Sequence, residues 1–413
     1  MVEPLKDEFK DNEAPKETSM GKPTPDNKTA PDNKTAPDYK TPLRTWLTLF
    51  VFLLIIGGFA LLNVIVPKAE VLTSERRLPA TMPHLDLDEV LSTRFMSGLE
   101  NYAADNFFGR EQLRTIRAVT VLDVLRQSDK DGLYLGTTGA GKMERLDPVG
   151  LLMWATLMER LHSDLAAQGS ELSFYYAIIP DKSLYNESFL PGFDPLQATE
   201  LLEGRLEGVT PLDLTNAFVS SDFYKTDIHW DQSQLGQRRG DILDVLADAL
   251  KFQDRLDRSF TVENMGSFTG VYPGQLALPL PPDELNVLMN PTLESVLVYY
   301  LDPRTGEFFE GPLYDFEAAQ SRDGYDVFLR GSQPLVVLEN PLATTDKELY
   351  IFRDSFTSSL APLLVSAYAK ITLIDLRYIN YRVLSQFVTF ADGSDVLFLY
   401  GSQILNNPSV LLM

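Results

Sequence analysis

Hydrophobic and polar positions divide the chain into an N-terminal part without a core and a long part in which helix and strand patterns alternate. Apolar residues at three-and-four spacing predict amphipathic helices, and short continuous apolar runs predict buried strands. This alternation predicts an α/β fold with a mostly parallel sheet. The predicted helices are 85–102, 111–126, 147–169, 197–207, 233–252 and 358–369, and the predicted strands are 172–179, 349–352, 371–375 and 396–400.

Residues 253–345 interrupt this alternation with proline-rich and aromatic segments, such as Leu-Pro-Leu-Pro-Pro at 278–282. Proline cannot donate to a sheet ladder and breaks helices, so this stretch favours short strands and turns. We predict a β-rich insertion at 253–345 within one α/β domain that spans residues 85–413.

The N-terminal residues carry two different signals. Residues 1–43 are poor in apolar residues and repeat a Pro-Asp-Asn-Lys-like unit between positions 23 and 40, which predicts a disordered tail. Residues 46–66 carry no charge and are long enough to cross a bilayer, but too long and too far from the N-terminus for a cleaved signal peptide. We therefore expect a retained single-pass anchor in the plasma membrane. We expect a cytoplasmic tail, a stem at 67–84 and an extracytoplasmic domain, although the flanking basic residues bias this orientation only weakly.

Composition and charge exclude several classes of function. The formal net charge of −22 lies mainly in the domain, because residues 1–43 contain seven Lys and nine Asp or Glu residues. Such a surface repels phosphate backbones, so nucleic acid is not an expected partner. The chain has no cysteine, which excludes disulfides and cysteine nucleophiles. One histidine among scattered acids gives no metal-ligand spacing, so we predict neither a metal site nor a cofactor.

Residues 136–143, Gly-Thr-Thr-Gly-Ala-Gly-Lys-Met, come close to a phosphate-binding loop. That motif needs Ser or Thr after its lysine to bind magnesium, and Met143 cannot do so. We predict a glycine-rich hairpin turn after a strand at 133–135 instead.

The main candidate for catalytic chemistry is the stretch Asp-Ile-His-Trp at 227–230. His229 is one of only three histidines and lies two residues after Asp227. In an extended segment these two side chains would point to one side, and Ile228 would turn into the core. The pair could act as a base with its orienting acid, although such a pair alone also fits a surface turn or a structural histidine.

Ser355 lies where the predicted strand 349–352 gives way to the predicted helix 358–369. Such a position exposes a hydroxyl at the carboxyl edge of a sheet, close to backbone N–H groups. Serine needs a base and an orienting carboxylate to become a nucleophile, and His229 and Asp227 would supply them. The oxyanion donors would be the Ser355 amide and a second group that the sequence does not identify. The alternative for Ser355 is a turn or N-cap serine.

Several segments together resemble the DHHW family, named for its Asp-His-His-Trp motif. They are Thr-Asp-Ile-His-Trp at 226–230, Asp-Ser-Phe at 354–356, Ile-Asp-Leu-Arg-Tyr at 374–378 and the turn Asn-Phe-Phe-Gly-Arg at 106–110. The family is similar to the alginate O-acetylation proteins of the SGNH-hydrolase-like group, in which Asp-x-His also precedes the serine. Ile228 stands where the family has its first histidine, and Arg353 stands where it has the glycine of Gly-Asp-Ser.

The resemblance implies a three-layer α/β/α fold and an acetyl-enzyme reaction in which Asp227 orients, His229 acts as the base and Ser355 is acetylated. Trp230 and Arg377 match the family pattern and would line a sugar site, while the alternative for Trp230 is a core position. The implied substrate is a bacterial cell-envelope polysaccharide, with a membrane-bound O-acyltransferase as a possible acetyl-delivering partner. The function would be that of an O-acetyltransferase or acetylesterase. The alternative is a non-catalytic polysaccharide-binding or assembly protein with an unused triad.

Overall fold

The computed structural model describes residues 43–85, 88, 92–168, 171–186 and 192–413. The predicted tail at 1–43, except for Leu43, and part of the predicted helix 85–102 lie outside the described residues. The chain divides into two compact units, Met1–Leu61 and Leu62–Met413.

Helix α1, Leu43–Ile65, is the predicted apolar segment. It has 23 residues, a mean hydropathy of 2.6 and no buried side chain, so it is long and apolar enough to cross a membrane. Within the described part of the chain it is the one helix that meets these criteria.

Residues 67–84, predicted to be a stem, lie against the folded domain. Arg77 makes a bidentate ion pair with the buried Asp105, with both N–O distances at 2.6 Å. Arg76 pairs with Asp323 at 3.0 Å. These contacts join the segment to two separate parts of the domain.

Twelve strands and nine further helices are present in the described part of the domain. The strands are β1 Leu133–Gly136, β2 Gly139–Lys142, β3 Ser173–Ile179, β4 Val209–Leu212, β5 Thr261–Phe268, β6 Asp283–Met289, β7 Leu297–Asp302, β8 Glu307–Gly311, β9 Leu335–Glu339, β10 Glu348–Arg353, β11 Lys370–Ile374 and β12 Asp395–Gly401. The helices are α2 Arg94–Asp105, α3 Arg110–Val119, α4 Pro148–Ala166, α5 Pro195–Leu201, α6 Ile242–Leu250, α7 Tyr272–Leu276, α8 Pro291–Ser295, α9 Thr357–Leu364 and α10 Ser402–Asn406.

Eight strands form the main sheet in the order β4-β3-β12-β10-β11-β9-β7-β8. The first five are parallel, and β9, β7 and β8 extend them in antiparallel fashion. The four strands predicted from apolar runs are β3, β10, β11 and β12. They form the parallel centre, where burial on both faces requires apolar side chains throughout. Residues 253–345 provide the three antiparallel strands and the separate β5–β6 hairpin.

Helices cover both faces of the parallel half, which confirms the predicted α/β class. One core contains residues of α6 and α9, and the other contains residues of α4. The predicted helix 233–252 is wrong in its first half. Gly236 and Gly240 have positive φ angles of 79° and 74°, and the Asp241 carboxylate then caps α6 by accepting from the amides of Leu243 and Asp244.

The glycine-rich motif forms the hairpin predicted for it. β1 pairs with β2 through a two-residue turn, with Gly136 opposite Gly139. A Cβ on Gly139 would lie 2.5 Å from the Cα of Lys225, so only glycine fits there. The motif therefore packs against the loop that carries Asp227 and His229.

Candidate active site

Ser355 lies two residues after β10 and two residues before α9. Because β10 lies between the parallel strands β11 and β12, this turn opens at the carboxyl edge of the sheet. Asp354 stabilises the turn, since its carboxylate accepts from the amides of Phe356 at 3.2 Å and Gly401 at 2.6 Å.

A tight loop between β4 and α6 carries Asp227 and His229. The Tyr224 amide donates to the His229 carbonyl at 3.1 Å, and the His229 amide donates to Asp227 Oδ1 at 3.1 Å. The predicted extended segment is therefore wrong, because the aspartate closes a turn on its own backbone. Ile228 packs against the hydrophobic core as predicted, but it is only half-buried and also lines the cavity beside Ser355.

The three predicted catalytic side chains meet in one hydrogen-bonded relay. His229 Nδ1 lies 2.6 Å from Asp227 Oδ1, and His229 Nε2 lies 2.8 Å from Ser355 Oγ. Asp227 Oδ2 accepts from the Val271 amide at 3.0 Å. Burial alone would raise the pKa of Asp227, but these hydrogen bonds and the neighbouring imidazole outweigh it and hold the pKa at about 2. Asp227 is thus a carboxylate at neutral pH, suited to orienting an imidazole that takes a proton from Ser355.

Aromatic side chains hold the plane of the His229 ring. Tyr325 stacks on it with centroids 3.8 Å apart and an angle of 10°, and Phe356 lies against it at 4.9 Å. The Tyr325 hydroxyl is in turn within 2.9 Å of Ser359 Oγ. Tyr325 was not predicted, because it lies almost a hundred residues from His229 and no motif marks it. Phe356 belongs to the Asp-Ser-Phe segment, but that segment indicated no role for Phe356 itself.

Lys182 stabilises the loop that carries Asp227 and His229. Its buried ammonium donates to the carbonyls of Ala140 at 2.6 Å and Tyr224 at 2.5 Å, linking the glycine-rich hairpin to the Asp227 loop. Burial lowers the pKa of Lys182 to about 8. On the other side, the Asp283 carboxylate accepts from the amides of Lys225 and Thr226, both at 2.8 Å.

Trp230 does not line a sugar site, and that prediction is wrong. The side chain is fully buried, its ring stacks on Phe218 at 5.2 Å, and its Nε1 donates to Ser359 Oγ at 2.7 Å. With both faces enclosed, the indole cannot stack on a pyranose. The alternative for this residue, a core tryptophan, is correct.

Arg377 lies in the cavity beside Ser355. Its guanidinium makes a bidentate pair with the buried Asp375, at 2.9 Å and 2.6 Å, and remains half-buried. Burial would lower the pKa of Arg377, but the Asp375 carboxylate raises it above its usual value. Among the described residues that line this cavity, Arg377 is the one cation, and the volume of the cavity is about 60 Å³.

Sequence reasoning missed three polar residues of the same cavity: Asp181, Ser402 and Gln403. Asp181 lies two residues after the end of β3, and burial raises its pKa to about 6. Its position after a buried strand was a usable signal, because the carboxyl ends of parallel strands meet at one edge. Ser402 and Gln403 begin α10 and carried no signal of their own.

Known structures share this architecture. A DHHW family protein from Eubacterium siraeum superposes with a TM-score of 0.54 at 16% identity, covering 68% of this chain and 94% of that one. PatB1 from Bacillus cereus superposes with a TM-score of 0.53 at 17% identity, covering 68% of this chain and 99% of that one. The folded domain has the DHHW fold. The sequence itself matches no family model and no curated protein.

The fold shared with a DHHW family protein agrees with the resemblance noted in the sequence. A second PatB1 structure, which carries a sulfonyl adduct, superposes with a TM-score of 0.52 at 17% identity. At these identities the shared property is the fold. The roles of individual residues rest on the geometry of this chain.

Proposed function

We propose that this protein is a membrane-anchored, extracytoplasmic enzyme that transfers or removes acetyl groups on cell-envelope polysaccharide through an acetyl-Ser355 intermediate. The observation that carries this proposal is the unbroken relay from Asp227 through His229 to Ser355, at 2.6 Å and 2.8 Å. These distances are those required of a base that hydrogen-bonds to its nucleophile.

In the first half-reaction, Ser355 Oγ bonds to the acetyl carbonyl carbon while its proton passes to His229 Nε2. The bond from that carbon to the leaving oxygen then breaks, and the leaving oxygen takes the proton from His229. Asp227 remains a carboxylate throughout and stabilises the imidazolium. In the second half-reaction the acceptor oxygen bonds to the acetyl carbonyl carbon while its proton passes to His229 Nε2. The bond from that carbon to Ser355 Oγ then breaks, and Ser355 Oγ takes the proton back. A sugar hydroxyl as acceptor gives an acetylated glycan, and water gives acetic acid.

The cavity supports an acetyl group over a longer acyl chain. A cavity needs roughly 10–15 Å³ to hold one water molecule. The cavity beside Ser355, at about 60 Å³, therefore holds a group of only a few heavy atoms. The Ser355 amide and the Arg377 guanidinium are our candidates for the oxyanion donors. The Phe356 and Gly401 amides are already bonded to Asp354.

Arg377 also remains our candidate for sugar binding, since its half-buried guanidinium lines the cavity and can donate hydrogen bonds to glycan oxygens. The anchor α1 would hold the enzyme at the envelope, where a membrane-bound O-acyltransferase could supply acetyl groups. The fold likeness to the DHHW protein and PatB1 agrees with this assignment.

Steady-state hydrolysis of p-nitrophenyl acetate by the full chain, with and without an oligosaccharide acceptor, tests the proposal. We expect Ser355→Ala and His229→Gln to abolish turnover, whereas Arg377→Lys keeps the charge and retains part of it. Acetylated oligosaccharide would identify a transferase, and acetic acid alone would identify an esterase. Turnover above background that survives in Ser355→Ala would show that Ser355 is not the nucleophile, and no turnover above background by the native chain would instead favour the non-catalytic polysaccharide-binding protein.

A further inference from the structure

An exposed apolar stripe follows α3 and the turn of π-helix at residues 120–124 that continues it. Its members are between 38% and 70% exposed although all are large and apolar: Leu113, Ile116, Val119, Val124 and Leu125. Contiguous apolar surface of this kind on a soluble domain marks a contact with a membrane or another protein.

The stripe has the geometry of an amphipathic helix. Leu113, Ile116 and Val124, with Thr120 between them, recur at intervals of three and four residues and so share one face. The opposite face is packed on the domain: Ala118 is fully buried, and Leu122 packs into the small core around α7. The stripe is therefore not a core face that lost its partner, because the helix already has its core face.

The start of α3 lies close to the end of the apolar segment. Residues 62–66, the last part of the apolar segment, belong to the same compact unit as α3. The amide of Phe108, in the turn that starts α3, donates to Asn63 Oδ1 at 2.8 Å. The start of α3 is thus tied to the residues at which the chain leaves the apolar segment.

We propose that the exposed stripe of α3 lies in the interface of the membrane that α1 enters, with the apolar side chains at the level of the upper acyl chains. An amphipathic helix lying in this plane inserts its apolar face by roughly 5–10 Å. Arg126, at the end of the stripe, is exposed and makes no ion pair or hydrogen bond with the described residues, so it is available to lipid phosphates. The domain then has two membrane contacts, a spanning helix and an interfacial one.

The absence of cysteine makes a site-specific test direct. Single-cysteine variants of the full chain, Ile116→Cys and Val124→Cys, are labelled with an environment-sensitive fluorophore and placed one protein per nanodisc of phosphatidylcholine and phosphatidylglycerol. Leu53→Cys within α1 is the positive control. Val262→Cys on β5 is the matched negative control, since Val262 is 56% exposed and Ile116 is 60% exposed.

We expect lipid carrying a spin label at an upper acyl position to quench the fluorophore at 116 and 124, as it does at 53, and not at 262. Iodide in the buffer should quench only at 262. If positions 116 and 124 match 262 in both measurements, the stripe faces water and the proposal is wrong. Protection from iodide without quenching by the lipid label would mean that protein covers the stripe, which also overturns it. Neither result depends on acetyl chemistry, so the proposed function is tested separately.

Discussion

Gly270 lies against the carboxylate that orients the base, and replacing it with alanine perturbs the relay without removing any of its groups. The Gly270 amide donates to Thr226 Oγ1 at 2.8 Å, which brings its backbone directly over Asp227. A Cβ added there would lie 2.5 Å from Asp227 Oδ2 and closer still to Asp227 Cβ. Backbone and a buried side chain meet at this point, so neither can yield without moving the loop.

The size of the effect follows from these distances. Ordinary non-bonded contact with carbon begins at about 3.5 Å, so Asp227 or Gly270 has to move by about 1 Å. The same shift carried to His229 would lengthen its 2.8 Å contact with Ser355 beyond hydrogen-bond range. A misplacement of about 1 Å can cost roughly 10²-fold in rate, so we expect Gly270→Ala to lower kcat/KM for p-nitrophenyl acetate by about that factor.

The matched control is Gly204→Ala. Gly204 has a φ of 72° and no atom within 4 Å of the added Cβ, so this variant introduces backbone strain without displacing any neighbour. We expect a loss of about 1 kcal/mol in the free energy of unfolding and unchanged kcat/KM. If folded Gly270→Ala keeps the native kcat/KM, the position of Asp227 does not limit catalysis and the reasoning fails.

Three further predictions follow from the buried polar groups. Trp230→Phe should keep the stacking on Phe218 but lose the hydrogen bond to Ser359, lowering the free energy of unfolding by about 1 kcal/mol in urea titration while leaving the KM for glycan unchanged. Because the pKa of Asp181 is about 6 in the folded protein and about 3.9 when unfolded, its contribution to stability is present below pH 4 and lost as pH rises through 6. Between pH 4 and pH 7 the free energy of unfolding of Asp181→Asn should therefore fall by about 2 kcal/mol less than that of the native chain. Equal decreases in the two proteins would contradict this prediction. Asp227, with a pKa of about 2, contributes stability that is present above pH 4 and lost as pH falls toward 2. Acid titration of Asp227→Asn should therefore lack this pH dependence of stability. The same variant should lower kcat/KM by about 10³–10⁴-fold.

The parallel half of the sheet and the relay were predictable from sequence for local reasons. Strands such as β10 and β12 are continuous apolar runs, and the turn at Ser355 follows directly from the strand before it. Asp227 and His229 are neighbours in sequence, so only their meeting with Ser355 required the fold. The resemblance to the DHHW family supplied that link.

The errors concern long-range packing. Trp230 is buried because Phe218 and Ser359 enclose it, and Ser359 lies 129 positions away. The start of α6 is an exception with a local cause: it was predicted too early because Gly236 and Gly240 hold the chain outside helical geometry before Asp241. The ring of Tyr325 on His229 and the ammonium of Lys182 beneath the loop likewise depend on contacts that no local pattern records.

The most direct test of the central claim is mass spectrometry of the full chain after brief incubation with p-nitrophenyl acetate, and separately with a sulfonyl fluoride, which cannot turn over. The account predicts an acetyl or sulfonyl adduct on Ser355 that is absent from Ser355→Ala and strongly reduced in His229→Gln. A sulfonyl adduct on another residue, or none on a folded native chain, would contradict the claim that Ser355 is the activated nucleophile.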